Sequence, residues 1–157
     1  MNKKVYKTLE YDKILTLLEA RAGSDRGKDL CRRLRPMTQL SEIRFAQRQT
    51  ADALGRILAN GSFSFGNSSD PTLLGKRLAI GGLANAHELL GIASLLTATK
   101  RAAVYGEKKR DSRPDDSLTT DFAALDPLPD LTREIERCIL SEDSFSDDAS
   151  SGLRQVR

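Results

Sequence analysis

The chain has 157 residues, of which 39% are hydrophobic, 30% charged and 5% aromatic, which is enough length for one domain with a real core. So much charge with so few rings suits amphipathic helices better than a β-sandwich, whose strands need β-branched and aromatic residues. A net charge of +3 with an isoelectric point near 9.0 is too mild to imply nucleic-acid binding by itself.

The amino terminus, MNKKVYKTLEYD, holds no apolar run of signal-peptide or membrane-spanning character, so a cytoplasmic location with reduced thiols is the default expectation. After Thr8, Leu9, Ile14, Leu17 and Leu18 recur near helical spacing until Ala22-Gly23. Ser24 then caps a short helix through Leu30, closed by Arg35-Pro36. A third helix opens at Ser41-Glu42. Ile43, Ala46, Thr50, Ala53, Leu54, Ile57 and Leu58 form its apolar stripe, and Asn60-Gly61 ends it.

The segment SFSFGNSSD is too short for a strand and reads as a loop whose Phe63 and Phe65 pin it to the core. Asp70-Pro71 starts a helix running to about Ala79, because Asp accepts free amide hydrogens and Pro suits the first turn. IGGL makes a turn. Asn85 caps the longest helix, with Leu89, Ile92, Leu96 and Ala103 on one side and Lys100, Arg101, Lys108, Lys109 and Arg110 toward its basic end.

A polar loop spans 111–120, a short helix is expected over Asp121 to Leu125, and Pro127 and Pro129 break the chain. Leu131, Ile135, Cys138 and Ile139 then mark another amphipathic helix, and SEDSFSDDASS is a turn-rich connector. SSGLRQVR begins a helix that stops within two turns, which would be unstable alone. The sequence therefore reads as cut from a longer protein.

The fold class is all-α, a bundle of amphipathic helices with at most a short hairpin near the end. No internal repeat or coiled-coil heptad run appears.

Catalytic constellations are sparse. Gly27-Lys28 is followed by Asp29 and Gly75-Lys76 by Arg77, so neither is a phosphate loop, which needs a hydroxyl residue there for the metal. His87, in NAHELL, lacks the second histidine of a zinc helix and reads as a surface or capping residue. Cys31 and Cys138 stand far apart without a ligand cluster. The acidic pairs Asp115-Asp116, Glu142-Asp143 and Asp147-Asp148 read as solvated loop charges. Catalytic, metal and cofactor sites are thus expected to be absent from these residues.

Charge is uneven. Arg21 to Arg56 holds nine basic residues against four acids, and Lys100 to Arg113 six against two. Most such charge is a solvated helix face. Arg32, Arg33 and Arg35 form the candidate nucleic-acid contact, because forked guanidinium donors suit phosphate oxygens. No interleaved aromatics suggest base stacking beside them. Two readings stay open, a structural module without chemistry and a self-standing helical nucleic-acid-binding domain that uses the Arg32 to Arg35 cluster and the basic end of the long helix.

The order of segments carries a resemblance. TLEYDKI, the Leu34-Arg35-Pro36 stop and RQTADAL resemble the amino terminus of bacterial MutS-family proteins. SFSFG, DPTLLGKRLAIGGLANAHELLGIASLL, PLPDLTREIERCIL and the closing DDASSGLRQVR resemble the second bacterial MutS paralogue, the recombination-suppressing branch. Ser151 stands where that family tends to have Pro, and the connector lacks its usual glycine turn. The resemblance implies a helical core domain over 1–149 and the start of a long lever helix over 150–157. In the full-length family it implies a lever, a clamp, an ATPase using ATP and Mg, often a nuclease domain, and homodimerisation. It also implies branched DNA or stalled ribosomes as targets, and no membrane.

Overall fold

The computed structural model describes residues 8–66, 70–108 and 115–156. Among them are eight α-helices: α1 (Tyr11–Glu19), α2 (Asp25–Arg33), α3 (Leu40–Asn60), α4 (Thr72–Ala79), α5 (Ala86–Glu107), α6 (Thr119–Ala123), α7 (Pro129–Cys138) and α8 (Ser151–Val156). Strands β1 (Ile139–Ser141) and β2 (Ser144–Phe145) pair antiparallel, and a 3-10 turn over Asp147–Ala149 precedes α8. The molecule is mostly helical, as its composition implies.

Local chemistry sets most boundaries. The Ser24 hydroxyl accepts from the Gly27 amide to start α2, and Asp70 accepts from the Thr72 amide ahead of α4. Asn85 begins α5 with a reciprocal capping box: its side chain accepts from the Glu88 amide while Glu88 accepts from the Asn85 amide. Gly61, at φ 82°, closes α3 in a conformation that side chains disfavour.

Helix α5 is the axis of the fold. It packs against α6, α7 and β1, while α1 and α2 pack against each other. Ala93, Ile135 and Ile139 form a buried cluster where α5, α7 and β1 meet, flanked by Leu89, Leu90 and Ile92. Leu96, Ala98, Ala102 and Tyr105 continue the buried side of α5. Alanines there let neighbouring elements approach closely, which is how a thin core can still pack.

The connector after α7 is more ordered than a turn-rich segment requires. It forms the β1–β2 hairpin around Glu142 and Asp143, and the Ser146 amide then donates to the Cys138 carbonyl. Arg137 donates to the Asp148 carbonyl and Arg154 pairs with Asp148, which seats the start of α8 against α7. The Ser150 hydroxyl accepts from the Leu153 amide, as the serine pair before α8 suggests.

Helix α3 differs from its sequence reading. Its stripe exists, but Leu54, Ile57 and Leu58 face outward, with Leu58 78% exposed. The buried side is polar and centred on Asp52 and Arg56, roughly half a turn away from those three residues. The loop after α3 is pinned through one ring: Phe63 lies 5.3 Å from Tyr105, and Phe65 rests edge-on against Phe63 at 4.8 Å. Lys109 and Arg110, expected at the basic end of the long helix, lie outside the described residues.

Candidate functional site

The arginines singled out from sequence sit at the carboxy-terminal end of α2 and just beyond it. Cations there complement the helix dipole, and two already have acidic partners. Arg32 bonds Glu19 of α1 through Nε at 3.0 Å and Asp29 through a terminal nitrogen at 2.9 Å. Arg33 reaches the other Asp29 oxygen at 3.6 Å. Arg35 instead donates to the Leu34 and Arg32 carbonyls at 2.8 and 3.4 Å, covering the open end of α2. All three stay exposed. The cluster therefore ties α2 to α1 and holds its remaining donors in solvent, where such pairs exchange easily.

The strongest polar construction lies elsewhere, between α3 and the segment before α6. Arg56 makes a two-pronged pair with Asp116, Nε to Oδ2 at 2.6 Å and a terminal nitrogen to Oδ1 at 2.9 Å. Each side chain is 6% exposed. Arg56 also donates to the Gly106 carbonyl at 2.9 Å and to the Thr119 hydroxyl at 3.3 Å, and its guanidinium lies 4.9 Å from the Phe122 ring centre. Asp116 accepts further from the Leu118 amide, and Asp52 accepts from the Ser117 amide and hydroxyl. One guanidinium thus joins α3, the end of α5 and the start of α6.

That geometry corrects the expectation that Asp115-Asp116 is a solvated pair. Asp115 is exposed, but Asp116 is buried beneath Arg56. The hydrogen bond from Arg56 pulls the Asp116 carboxyl below the ordinary carboxylate range, and the same bond raises the Arg56 guanidinium. The sequence reading named Asp116 only as half of a solvated pair and gave Arg56 no role. The local trace was Asp52 and Arg56 standing four apart in TADALGR, which ordinarily marks a surface pair.

Two other acids find partners at the surface. Glu142 accepts from His87 Nδ1 at 2.7 Å, joining the hairpin turn to the first turn of α5, and this bond raises the His87 pKa. Glu88 is held low by the Asn85 amide and by Arg77. Among the described residues, no three His, Cys, Asp or Glu side chains come together as a metal ion requires, and no helix is long and apolar enough to cross a membrane.

Large apolar side chains are numerous outside. On α1, Ile14, Leu17 and Leu18 are exposed, and on α3 so are Phe45, Leu54, Ile57 and Leu58. Leu54 and Leu58 are one helical turn apart and make a continuous ridge. Scattered exposed leucines need no explanation, but ordered ridges of them mark interfaces.

The comparisons turn on sequence over the whole length. No family model matches the chain. It is 48% identical to an endonuclease MutS2 of Agathobacter rectalis, aligned over all of this chain and 20% of that protein. Similar matches cover the whole chain at 44% identity in Lachnoclostridium phytofermentans and 38% in Lachnospira eligens. The chain is a MutS2-like sequence. It spans about a fifth of the MutS2 relatives it matches and corresponds to their amino-terminal region.

Proposed function

We propose that this chain is the non-catalytic structural core module of a MutS-like DNA-binding ATPase, coupling a clamp to the ATPase. In this reading residues 1–149 are the core domain and 150–157 open the lever helix. ATP and Mg belong to other parts of a full-length, homodimeric, cytoplasmic protein. That protein acts on branched DNA in recombination suppression or repair, or on stalled ribosomes.

The supporting observation is the pair of outward apolar ridges on α1 and α3 in a segment matching a fifth of its relatives. Covering a leucine removes it from water for about 1.5–3 kcal/mol, so several such residues make a firm seat for the rest of the chain. Behind the α3 ridge the Arg56 clasp fixes α3 to α5 and α6, which supports the rigidity that transmission of motion requires. Arg32, Arg33 and Arg35 are carried as an edge where phosphate would exchange for Asp29 and Glu19.

The test uses a full-length MutS2-like protein containing this segment. Leu54→Asp/Leu58→Asp should leave ATP hydrolysis intact while abolishing its response to branched DNA or ribosomes. An unchanged response contradicts the reading, and so does robust ATP turnover by the 157-residue chain alone.

A further inference from the structure

A groove of about 600 Å³ runs between the loop after α3 and the second half of α5, and nothing in the coupling role uses it. Lys100, Arg101 and Tyr105 line it from α5, Lys108 from just past the end of that helix, and Phe63 from the loop. Residues 100 to 108 on a helix span about 12 Å along its axis. The three cations therefore form a row and not a single point of charge.

The aromatic side is built, not incidental. The Tyr105 hydroxyl donates to the Gly61 carbonyl at 3.0 Å, which folds the loop back over α5. Phe63 lies against Tyr105, and Phe65 stands edge-on to Phe63 while 47% exposed. Gly66 adopts φ 66° beside the Arg101 guanidinium, which a Cβ there would approach to 3.9 Å. The loop thus sets Phe63 in the groove wall, with the half-open Phe65 ring edge-on to it just outside.

The row also differs from other basic features of the chain. Arg32, Arg33 and Arg56 carry acidic partners. Among the described residues, no ion pair reaches the side chains of Lys100, Arg101 or Lys108. Three cations without an ion pair among the described residues, beside an exposed ring, are what an unpaired strand uses: positive charge along its backbone and an aromatic face for a base. A single phosphate would fill only part of the row and leave the ring unused. A duplex offers no free base face to it.

We propose that this groove binds a short single-stranded stretch of nucleic acid, with phosphates along Lys100, Arg101 and Lys108 and a base on the Phe65–Phe63 ledge. The inference is independent of the coupling role.

Fluorescence anisotropy of the 157-residue chain with a labelled ten-residue oligothymidylate, across a salt series, tests it. Lys100→Ala/Arg101→Ala/Lys108→Ala should weaken binding at least about tenfold and lower the log–log salt slope by about two, given about 0.7 per neutralised phosphate on single strands. Phe65→Ala should weaken binding about fivefold or more with the slope unchanged, the signature of stacking. A charge-matched Lys13→Ala/Lys76→Ala/Arg133→Ala chain should bind as the parent does. All substituted side chains are exposed, and circular dichroism checks helicity. The proposal is overturned if the groove variant loses no more affinity than the charge-matched one. It is equally overturned if a duplex of the same length binds as tightly, or if Phe65→Ala changes nothing while tripolyphosphate displaces the strand at equal charge, which would mark a plain phosphate site.

Discussion

The two halves of the molecule are held together in different ways. Around α5, α7 and the hairpin, cohesion is apolar: Ala93, Ile135 and Ile139 are buried together and the element ends are capped. Around α3, cohesion is polar. The helix turns Asp52 and Arg56 inward and leaves Leu54, Ile57 and Leu58 in water. A helix that ended its folding here would do the reverse, since burying the ridge is favourable and burying an ion pair is costly. The inversion makes sense if the inner contact sets geometry and the outer ridge belongs to an interface.

Several substitutions can break or sharpen that contrast. The largest effect is expected from Arg56→Ala, which strands Asp116 in a buried site and should cost about 3–5 kcal/mol, read from chemical denaturation. Leu58→Ala, by contrast, should change the stability of the 157-residue chain by less than about 0.5 kcal/mol, as exposed positions do. Equal losses from the two would erase the distinction between a polar inside and an apolar outside.

Gly106→Ala comes next. A Cβ there would lie 2.4 Å from the Phe122 Cβ, so the substitution should destabilise by about 1–3 kcal/mol through overpacking, although Ala favours helix over Gly. Melting temperature measures it, and a stabilised variant would show that α5 and α6 pack more loosely than described. On the apolar side, Asn85→Ala removes the side-chain half of the α5 cap, leaving the bond from the residue 85 amide to Glu88, and should cost about 1 kcal/mol.

Acid titration separates the clasp from the core. The Asp116 pKa is lowered on folding, so its stabilisation is complete above the ordinary carboxylate range, near pH 4. It is lost as pH falls through the depressed value. Asp116→Asn should be less stable at pH 7 and lose less on acidification than the parent. The smallest effect is at His87, where Glu142→Gln should bring the raised imidazole pKa down toward about 6.5, followed by proton NMR.

Sequence reasoning reached the elements governed by neighbours in the chain. Ser24, Asp70 and Asn85 cap the helices they precede, and Gly61 ends α3, because a cap needs only residues two or three positions away. The hairpin was less legible, since a pairing of three residues with two leaves little periodic signal. The Arg56–Asp116 pair was invisible, its partners standing 60 positions apart with nothing local to mark either as buried. The orientation of α3 was misleading for a related reason. Periodicity tells which face is apolar, but not whether the cover comes from these residues or from others. Arg32, Arg33 and Arg35 were legible as a cluster, while the Glu19 bond that joins Arg32 to α1 was not.

The central claim is that the outer ridges of α1 and α3 are seats for the remainder of a MutS2-like protein. Hydroxyl-radical footprinting with mass spectrometry reads it side chain by side chain, comparing the 157-residue chain with a full-length protein containing it. Leu17, Leu54 and Leu58 should be oxidised readily in the chain alone and protected severalfold in the longer protein, while Ile135 stays protected in both. Equal reactivity of the three leucines in the two settings would contradict the account.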